Sequence, residues 1–261
     1  MISDNRFGLW NRKIRSIYIT HQVRIAFPKC LRIFEFTGIL LHRAVMKKYS
    51  ACFIPDLEDN VINLSGRLSH GVKLPGNTSY IGILSRFTDM ISHPEDSPVD
   101  FRHNTVILSG PEPQRSILKL RLEMIMKVWE TRTVFLGGRP DSDSPGTITA
   151  NIAFFDHLRG SAMKELIAGS DRIITRSGYT TIMELISLGR SALLVPTPGQ
   201  TEQEYLAEWL NEKGWFTIIR QKDLKDQLPD DDHKVFPAEE ILSQSKVLFE
   251  KALRIISEDQ K

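Results

Sequence analysis

From Asn104 onward the chain alternates short apolar runs with longer stretches whose apolar residues recur every three or four positions. Thr105 to Leu108, Thr133 to Leu136, Ile152 to Phe155, Arg172 to Thr175, Ala192 to Val195 and Phe216 to Ile219 are too short and too uniformly apolar for helices, and read as buried strands. The helical stretches in the intervals predict a parallel sheet with helices on both faces. One of them, from about Pro113 to Trp129, opens with proline at a tolerated first-turn position.

Before residue 87 the pattern thins. Only Arg15 to Ile19, Ala51 to Ile54 and Ser79 to Ile81 read as strands, too few for a doubly wound domain of ordinary size. Met1 to Asn5 reads as the end of a strand running into a loop, as though the chain enters a fold partway through. Leu31 to Ser50 predicts an amphipathic helix with Arg32, Arg43, Lys47 and Lys48 beside Phe34, Phe36, Leu40 and Leu41. Such a helix either packs between elements, its late lysines complementing the negative helix end, or rests on a membrane.

The densest chemistry lies between Ser170 and Ala207. The strand ending at Thr175 meets Arg176-Ser177-Gly178, and Gly178 lets the backbone turn into a helix from Thr180 to Leu188, closed by Gly189. Thr180, Thr181, Glu184 and Ser187 form a polar stripe on a helix otherwise filled by Ile182, Met183, Leu185 and Ile186. On a mostly apolar helix that stripe calls for a partner other than bulk water. A ribose diol suits Glu184, and the free amides near Ser177 to Tyr179 suit a diphosphate. The alternative makes Ser177 a plain cap and Glu184 a solvated surface residue. The next strand runs into Pro196-Thr197-Pro198-Gly199-Gln200 and a helix starting near Glu202, where Gln203 carries both a donor and an acceptor for sugar hydroxyls. Strand-end loops of open α/β sheets share one crevice.

Arg176-Ser177-Gly178, Thr181, Glu184, Pro196 and the run Gln203-Glu204-Tyr205 together resemble the carboxyl-terminal domain of glycosyltransferase family 28, the group that contains the N-acetylglucosaminyltransferase of lipid II synthesis. The order continues upstream. Ser109 to Arg115 lies where that family has a Gly-rich strand-to-helix loop, Gly82 to Arg86 where it has an interdomain linker, and His21-Gln22 is similar to its acceptor-side His motif. The sequence departs from the family at Pro111 and Pro113, where small flexible residues are usual, and at Glu204, where a second Gln is common.

The resemblance implies a GT-B fold: a partial amino-terminal acceptor-side domain and linker (1–86), a Rossmann-like nucleotide-sugar domain (87–236) and a last helix (237–261) that crosses back to the first domain. It implies that the first β-α units of related enzymes, with their catalytic base, are absent, so His21 is named only as an acceptor-side residue. Arg86, Gly110, Arg176, Ser177, Gly178, Thr181, Glu184, Gln203 and Glu204 are the expected donor-binding residues. Arg86 and the loops at Gly110 and Ser177 to Gly178 would stabilise the leaving diphosphate without metal.

Composition narrows the remaining choices. With 261 residues, 41% hydrophobic and 25% charged, the chain has ordinary globular composition and room for two small domains. No apolar run reaches the length of a membrane span, and Met1 to Arg6 lacks the character of a signal peptide, which places the chain in the cytoplasm. Cys30 and Cys52 form no metal or disulfide pattern, and the histidines show no HExxH spacing. Residues 1 to 86 carry a net charge of +8 and the remainder −6, so the two parts suit different partners. The basic part suits an anionic membrane surface, at the inner face, or a phosphate-bearing acceptor. No nucleic-acid motif accompanies it. Asp141-Ser142-Asp143 spells the DxD with which another glycosyltransferase fold holds a metal, but it sits in a turn-rich acidic loop and the resembled family needs no metal.

These readings converge on transfer of a hexosamine from a UDP-sugar to a cell-envelope glycan or lipid-linked acceptor, with no cofactor. Two alternatives stand beside it: a nucleotide-sugar hydrolase of the nonulosonic acid type, and a noncatalytic nucleotide-sugar-binding fragment whose missing half-domain comes from a partner subunit.

Overall fold

Four short strands, β1 (Ile2–Asp4), β2 (Ile17–Ile19), β3 (Ala51–Ile54) and β4 (Thr78–Tyr80), pair in chain order, all parallel, in the computed structural model. The structure describes residues 1–11, 13–25, 35–139, 147–149, 151–225, 228–229 and 235–258. Its contacts divide into one unit of Met1–Leu84 with Pro237–Lys261 and a second of Ser85–Phe236. In the first unit the period-2 alternation of β2 and β3 makes two cores. Tyr18, Cys52 and Ile54 pack with Val23, Met46 and Tyr49 on one face, and Ile17, Ala51, Phe53 and Ile81 pack with Ala252 on the other. Ala252 belongs to α6 (Ala238–Glu258), the last of the described helices. The Arg15 guanidinium donates to the carbonyls of Ile255 and Ile256, placing a cation at the negative end of that helix. Gly82, at φ +75°, is pressed so closely on α6 that an added Cβ would lie 2.3 Å from the Ser245 Cα.

The first helix, α1 (Glu35–Met46), is turned against its own composition. It buries Glu35, His42 and Met46, while Phe36, Leu40 and Leu41 are 66%, 47% and 70% exposed. His42 faces the Tyr18 hydroxyl through Nε2 at 3.0 Å and the Val23 carbonyl through Nδ1 at 3.1 Å, and burial lowers its pKa. Glu35 pairs with Arg24 at 3.7 Å. Of the longer helix expected from Leu31, Arg32 and Phe34 lie outside the described residues. No helix among the described residues is long and apolar enough to cross a membrane.

The second unit is built on seven strands: β5 (His103–Ile107), β6 (Arg132–Leu136), β7 (Thr147–Ile148), β8 (Ile152–Phe155), β9 (Ile173–Thr175), β10 (Leu193–Leu194) and β11 (Thr217–Ile218), in the order β11-β10-β9-β5-β6-β8-β7. Between them run α2 (Gln114–Met126), α3 (Gly160–Ala168), α4 (Tyr179–Ser187) and α5 (Thr201–Glu212). One core joins Val106, Phe135, Ile174 and Leu193 from the strands to Leu118, Leu122, Ile125 and Met126 of α2. The six strands expected here all form within a residue or two of their bounds, and the α/β expectation holds. Two strands went unread or half-read. β7 is a two-residue exposed edge that pairs antiparallel with β8, and so carries no apolar run to announce it. β1 is three residues long, with only its central Ser3 buried.

Candidate functional site at the sheet switch point

The chain adds strands on one side of β5 as far as β8 and then returns to β5's other edge with β9, so the order reverses between β5 and β9. In open α/β sheets the crevice outside the carboxyl ends of strands at that reversal is where ligands are held. Here it is walled by the loop from Leu108 to Pro113, the Arg176–Gly178 turn and the Pro196–Gln200 loop.

Arg176 ties these walls together. It is 0% exposed, and its Nη1 donates to the carbonyls of Val195 and Pro196 at 3.0 and 3.2 Å. Nη2 donates to the Gln114 carbonyl at 2.8 Å and to Gln221 Oε1 at 2.7 Å, and Gln221 Nε2 donates onward to Gln114 Oε1 at 3.1 Å. One side chain thus joins the segments that follow β9, β10 and β11 to the first residue of α2. This corrects the sequence expectation: Arg176 does not line the crevice but lies beneath it, because the backbone carbonyls leaving β10 require a donor that the strand cannot provide.

The start of α4 is open. Gly178 takes the N-cap position with extended backbone and no side chain caps the helix, so the first-turn amides have no intrahelical acceptor. Ser177 is not the cap; it is buried, and its hydroxyl donates to the Gln203 carbonyl at 2.8 Å. Thr181 stands half-buried in the first turn, its Oγ1 3.9 Å from where a Cβ on Gly178 would fall. Gly110, at φ +93°, directs the missing Cβ toward Thr197 Oγ1, 3.8 Å away, so the β5 and β10 loops meet at these two residues. The Thr197 hydroxyl is buried and has no hydrogen-bond partner among the described residues. Gln203 Oε1 accepts the Thr197 amide at 3.0 Å and Glu204 Oε1 accepts the Gly199 amide at 3.0 Å. Those two side chains shape the Pro196–Gln200 loop, a role their sequence reading as sugar ligands did not include.

Glu184 lies one turn and a half along α4, 8% exposed, and its carboxylate meets Arg86 Nε at 2.8 Å. Burial raises its pKa, and the Arg86 guanidinium opposes that rise. Ser85 and Ser187 hydroxyls lie 2.7 Å apart, and Ser187 also donates to the Glu184 carbonyl at 2.7 Å. Ser85 and Arg86 therefore grip the Glu184 turn by backbone and by side chain. Phe87, buried below, anchors the grip, with its carbonyl on Lys164 Nζ at 3.4 Å and its ring 4.9 Å from the Arg86 guanidinium carbon.

The structure so brings Gly110, Ser177, Gly178, Thr181, Gln203 and Glu204 to the strand-end loops and the starts of α4 and α5, with Arg86, from ahead of β5, paired to Glu184 of α4. His21 belongs to the first unit, just after β2. Asp141 to Asp143 lie outside the described residues. Among those described, no group of three or more His, Cys, Asp or Glu side chains is arranged to hold a metal ion. Thr197, Gln114, Gln221 and Ser85 were given no role of their own in the sequence reading, although Thr197, Gln114 and Ser85 lie within the Pro196–Gln200, Ser109–Arg115 and Gly82–Arg86 segments it singled out; Gln221 had no signal.

Residues 148–255 match the model of the glycosyltransferase family 28 C-terminal domain. The UDP-N-acetylglucosamine--N-acetylmuramyl-(pentapeptide) pyrophosphoryl-undecaprenol N-acetylglucosamine transferase of Sulfurihydrogenibium sp. is 22% identical over 125 residues, 47% of this chain and 35% of that protein. An uncharacterized glycosyltransferase of Methanosarcina acetivorans is 26% identical over 181 residues, 68% of this chain and 46% of that protein. The chain thus spans between a third and a half of these two relatives. Among solved structures, the glycosyltransferase SnogD from Streptomyces nogalater aligns with a TM-score of 0.57 at 13% identity, over 94% of this chain and 66% of that one. Glycosyltransferase VinC aligns with a TM-score of 0.54 at 14% identity, over 87% of this chain and 57% of that one. These likenesses show a GT-B type fold.

Proposed function

We propose, from the match of residues 148–255 to the C-terminal domain of glycosyltransferase family 28, that this chain binds a nucleoside-diphosphate sugar at the switch point and serves transfer of its sugar to an acceptor. The observation that carries the reading is Glu184, a buried carboxylate on the helix whose uncapped amino end opens the crevice. In this reading the carboxylate accepts the two ribose hydroxyls. The α4 amides and the Gly110 turn hold the diphosphate by N–H groups and helix dipole, the fixed donors that a leaving phosphate needs. Gln203 and Glu204, already bound to loop amides by one oxygen each, present their remaining polar atoms to the sugar. The donor proposed is a UDP-hexosamine of the N-acetylglucosamine type and the acceptor a lipid-linked or envelope glycan, with no metal taking part.

The acceptor side rests on the first unit. The +8 charge of residues 1 to 86 and the outward Phe36, Leu40 and Leu41 of α1, with Lys47 and Lys48 just beyond, support peripheral contact with an anionic membrane.

A thermal-shift screen against UDP, GDP, CMP and dTDP, free and as sugars, tests the donor reading. At a hundredfold excess over Kd a ligand of the folded state alone adds about 2.7 kcal/mol. UDP and UDP-N-acetylglucosamine are expected to raise Tm, equally with and without EDTA. No shift with any nucleotide defeats the reading, and a shift abolished by EDTA replaces the metal-free site with a metal-dependent one.

A further inference from the structure

Arg86, Arg115 and Arg176 stand close to the switch-point loops. Arg86 is paired with Glu184 at 2.8 Å and Arg115 with Glu112 at 2.8 Å, so both already have a counter-ion. Arg176 does not. Its four acceptors are three backbone carbonyls and a carboxamide oxygen, all neutral, and no carboxylate pairs with it among the described residues. It is fully buried, and its Nε–H has no partner among the described residues. Arginines in protein interiors ordinarily sit with an anion, because burying an unopposed charge is costly. The neighbouring Thr197 hydroxyl, one residue past a carbonyl that Arg176 holds, is a second buried polar atom without a partner. Arg176 leaves the chain two residues before Gly178, the N-cap of α4 that no side chain caps, and the Gly110 turn faces Thr197, a Cβ there falling 3.8 Å from Thr197 Oγ1.

We propose that Arg176 is the counter-charge of the bound diphosphate, acting through the loops it holds rather than by touching the ligand. The inference rests on the nucleotide-sugar reading above and adds to it the residue that makes the site prefer an anion. In a buried, weakly screened position a full positive charge reaches several ångströms with little attenuation, whereas the exposed Arg86 is screened by solvent and neutralised by Glu184. The same guanidinium fixes the carbonyl ends of the Val195–Pro196 and Gln114 peptides, so it also sets the loop geometry. The role of Arg176 is therefore positioning and electrostatic, and its two parts can be separated by ligand charge.

Calorimetry of UDP and of uridine, which share base and ribose but differ in charge, makes the separation. In Arg176→Met, UDP affinity is expected to fall about tenfold or more, the scale of one charged contact, while uridine stays within about twofold. Arg176→Lys restores the charge without the fork of donors, and recovers most of the lost preference for UDP. An equal fall for both ligands, or unchanged UDP binding, overturns the proposal and leaves Arg176 a structural tie. If Arg176→Met does not fold, Gln221→Met carries the test: it removes one acceptor and keeps the charge, so the UDP-to-uridine ratio stays within about twofold of wild type, and a tenfold loss of that ratio overturns the proposal. Wild-type protein that binds neither ligand overturns the nucleotide-sugar reading itself, and the proposal with it.

Discussion

Arg86 and Glu184 hold each other at 2.8 Å, guanidinium Nε on carboxylate Oε1, with the carboxylate buried and the arginine partly open to solvent. The pairing is asymmetric in effect. Solvent screening makes it a weak contributor to stability from the arginine's side, yet it is the contact that keeps a desolvated carboxylate ionised.

This gives opposite pH dependences for folding and for ligand binding. The folded-state pKa of Glu184 is raised, so between the unfolded value and the raised one the folded chain binds more protons, and its stability contribution grows as pH falls through that window. Ribose binding needs the ionised form, so UDP affinity falls over the same window. In Arg86→Ala the opposing guanidinium is gone and the loss of affinity moves to higher pH than in wild type. Glu184→Ala should weaken UDP by about 1 to 3 kcal/mol at pH 7.5, remove this pH dependence and leave the fold intact. Calorimetry at four or five pH values checks both, and a UDP affinity unaltered in Glu184→Ala returns this residue to a purely structural role.

Acid should unfold the first unit through His42. Burial lowers its pKa, so below the ordinary histidine range the unfolded chain takes up a proton that the folded chain refuses, and stability declines as pH drops from about 7 toward 5. His42→Gln is expected to be less stable at pH 7.5, having lost the Tyr18 and Val23 contacts, and to show a flatter decline on acidification. Urea unfolding at pH 7.5 and 5.5 measures it; parallel slopes in the two proteins exclude His42 as the source.

Gly82→Ala should strike the seat of α6. The new methyl would overlap the Ser245 Cα at 2.3 Å and sit at φ +75°, so backbone must move, at a cost of about 2 to 4 kcal/mol. A lowered Tm with early proteolysis between residues 237 and 258 is the expected pattern. A Tm within a degree of wild type would mean that α6 yields freely.

The exposed stripe of α1 makes the membrane reading measurable. Vesicles containing phosphatidylserine should pull the protein down and phosphatidylcholine vesicles should not. Lys47→Glu with Lys48→Glu should cancel the preference, at about 1 kcal/mol per lysine, and Phe36→Ser with Leu41→Ser should reduce binding to both kinds. Retention of lipid binding in both double variants would move the contact elsewhere on the first unit.

Features set by short-range pattern were legible in the sequence. Ile173 and Ile174, or Leu193 and Leu194, mark buried strands because nothing else is so short and so apolar, and Glu184 drew notice as a carboxylate on an apolar helix. The pattern misled where a side chain's direction depends on distant chain. Arg176 follows a strand as a ligand-facing residue would, and only Gln221, 45 residues on, with the carbonyls after β10, shows that it points inward. Gln203 and Glu204 read as sugar ligands from their type and position in the sequence, whereas the loop contacts they make depend on how Thr197 and Gly199 turn. The composition of α1 left open whether its apolar residues pack inward or face a membrane, and the burial of His42 between Tyr18 and Val23, with Phe36, Leu40 and Leu41 exposed, turns them outward.

The return of α6 to the first unit carries a consequence for biosynthesis. Arg15 waits for carbonyls some 240 residues later, and the face formed by Ile17, Phe53 and Ile81 has no Ala252 against it until α6 has been made. At ordinary elongation rates the ribosome needs on the order of ten to thirty seconds to travel from Leu84 to Glu258. During that interval residues 85–236, though second in order, have everything required to close their sheet. The unit whose strands are made first is thus the last to mature, and its uncovered apolar face is the surface that a nascent-chain chaperone would meet.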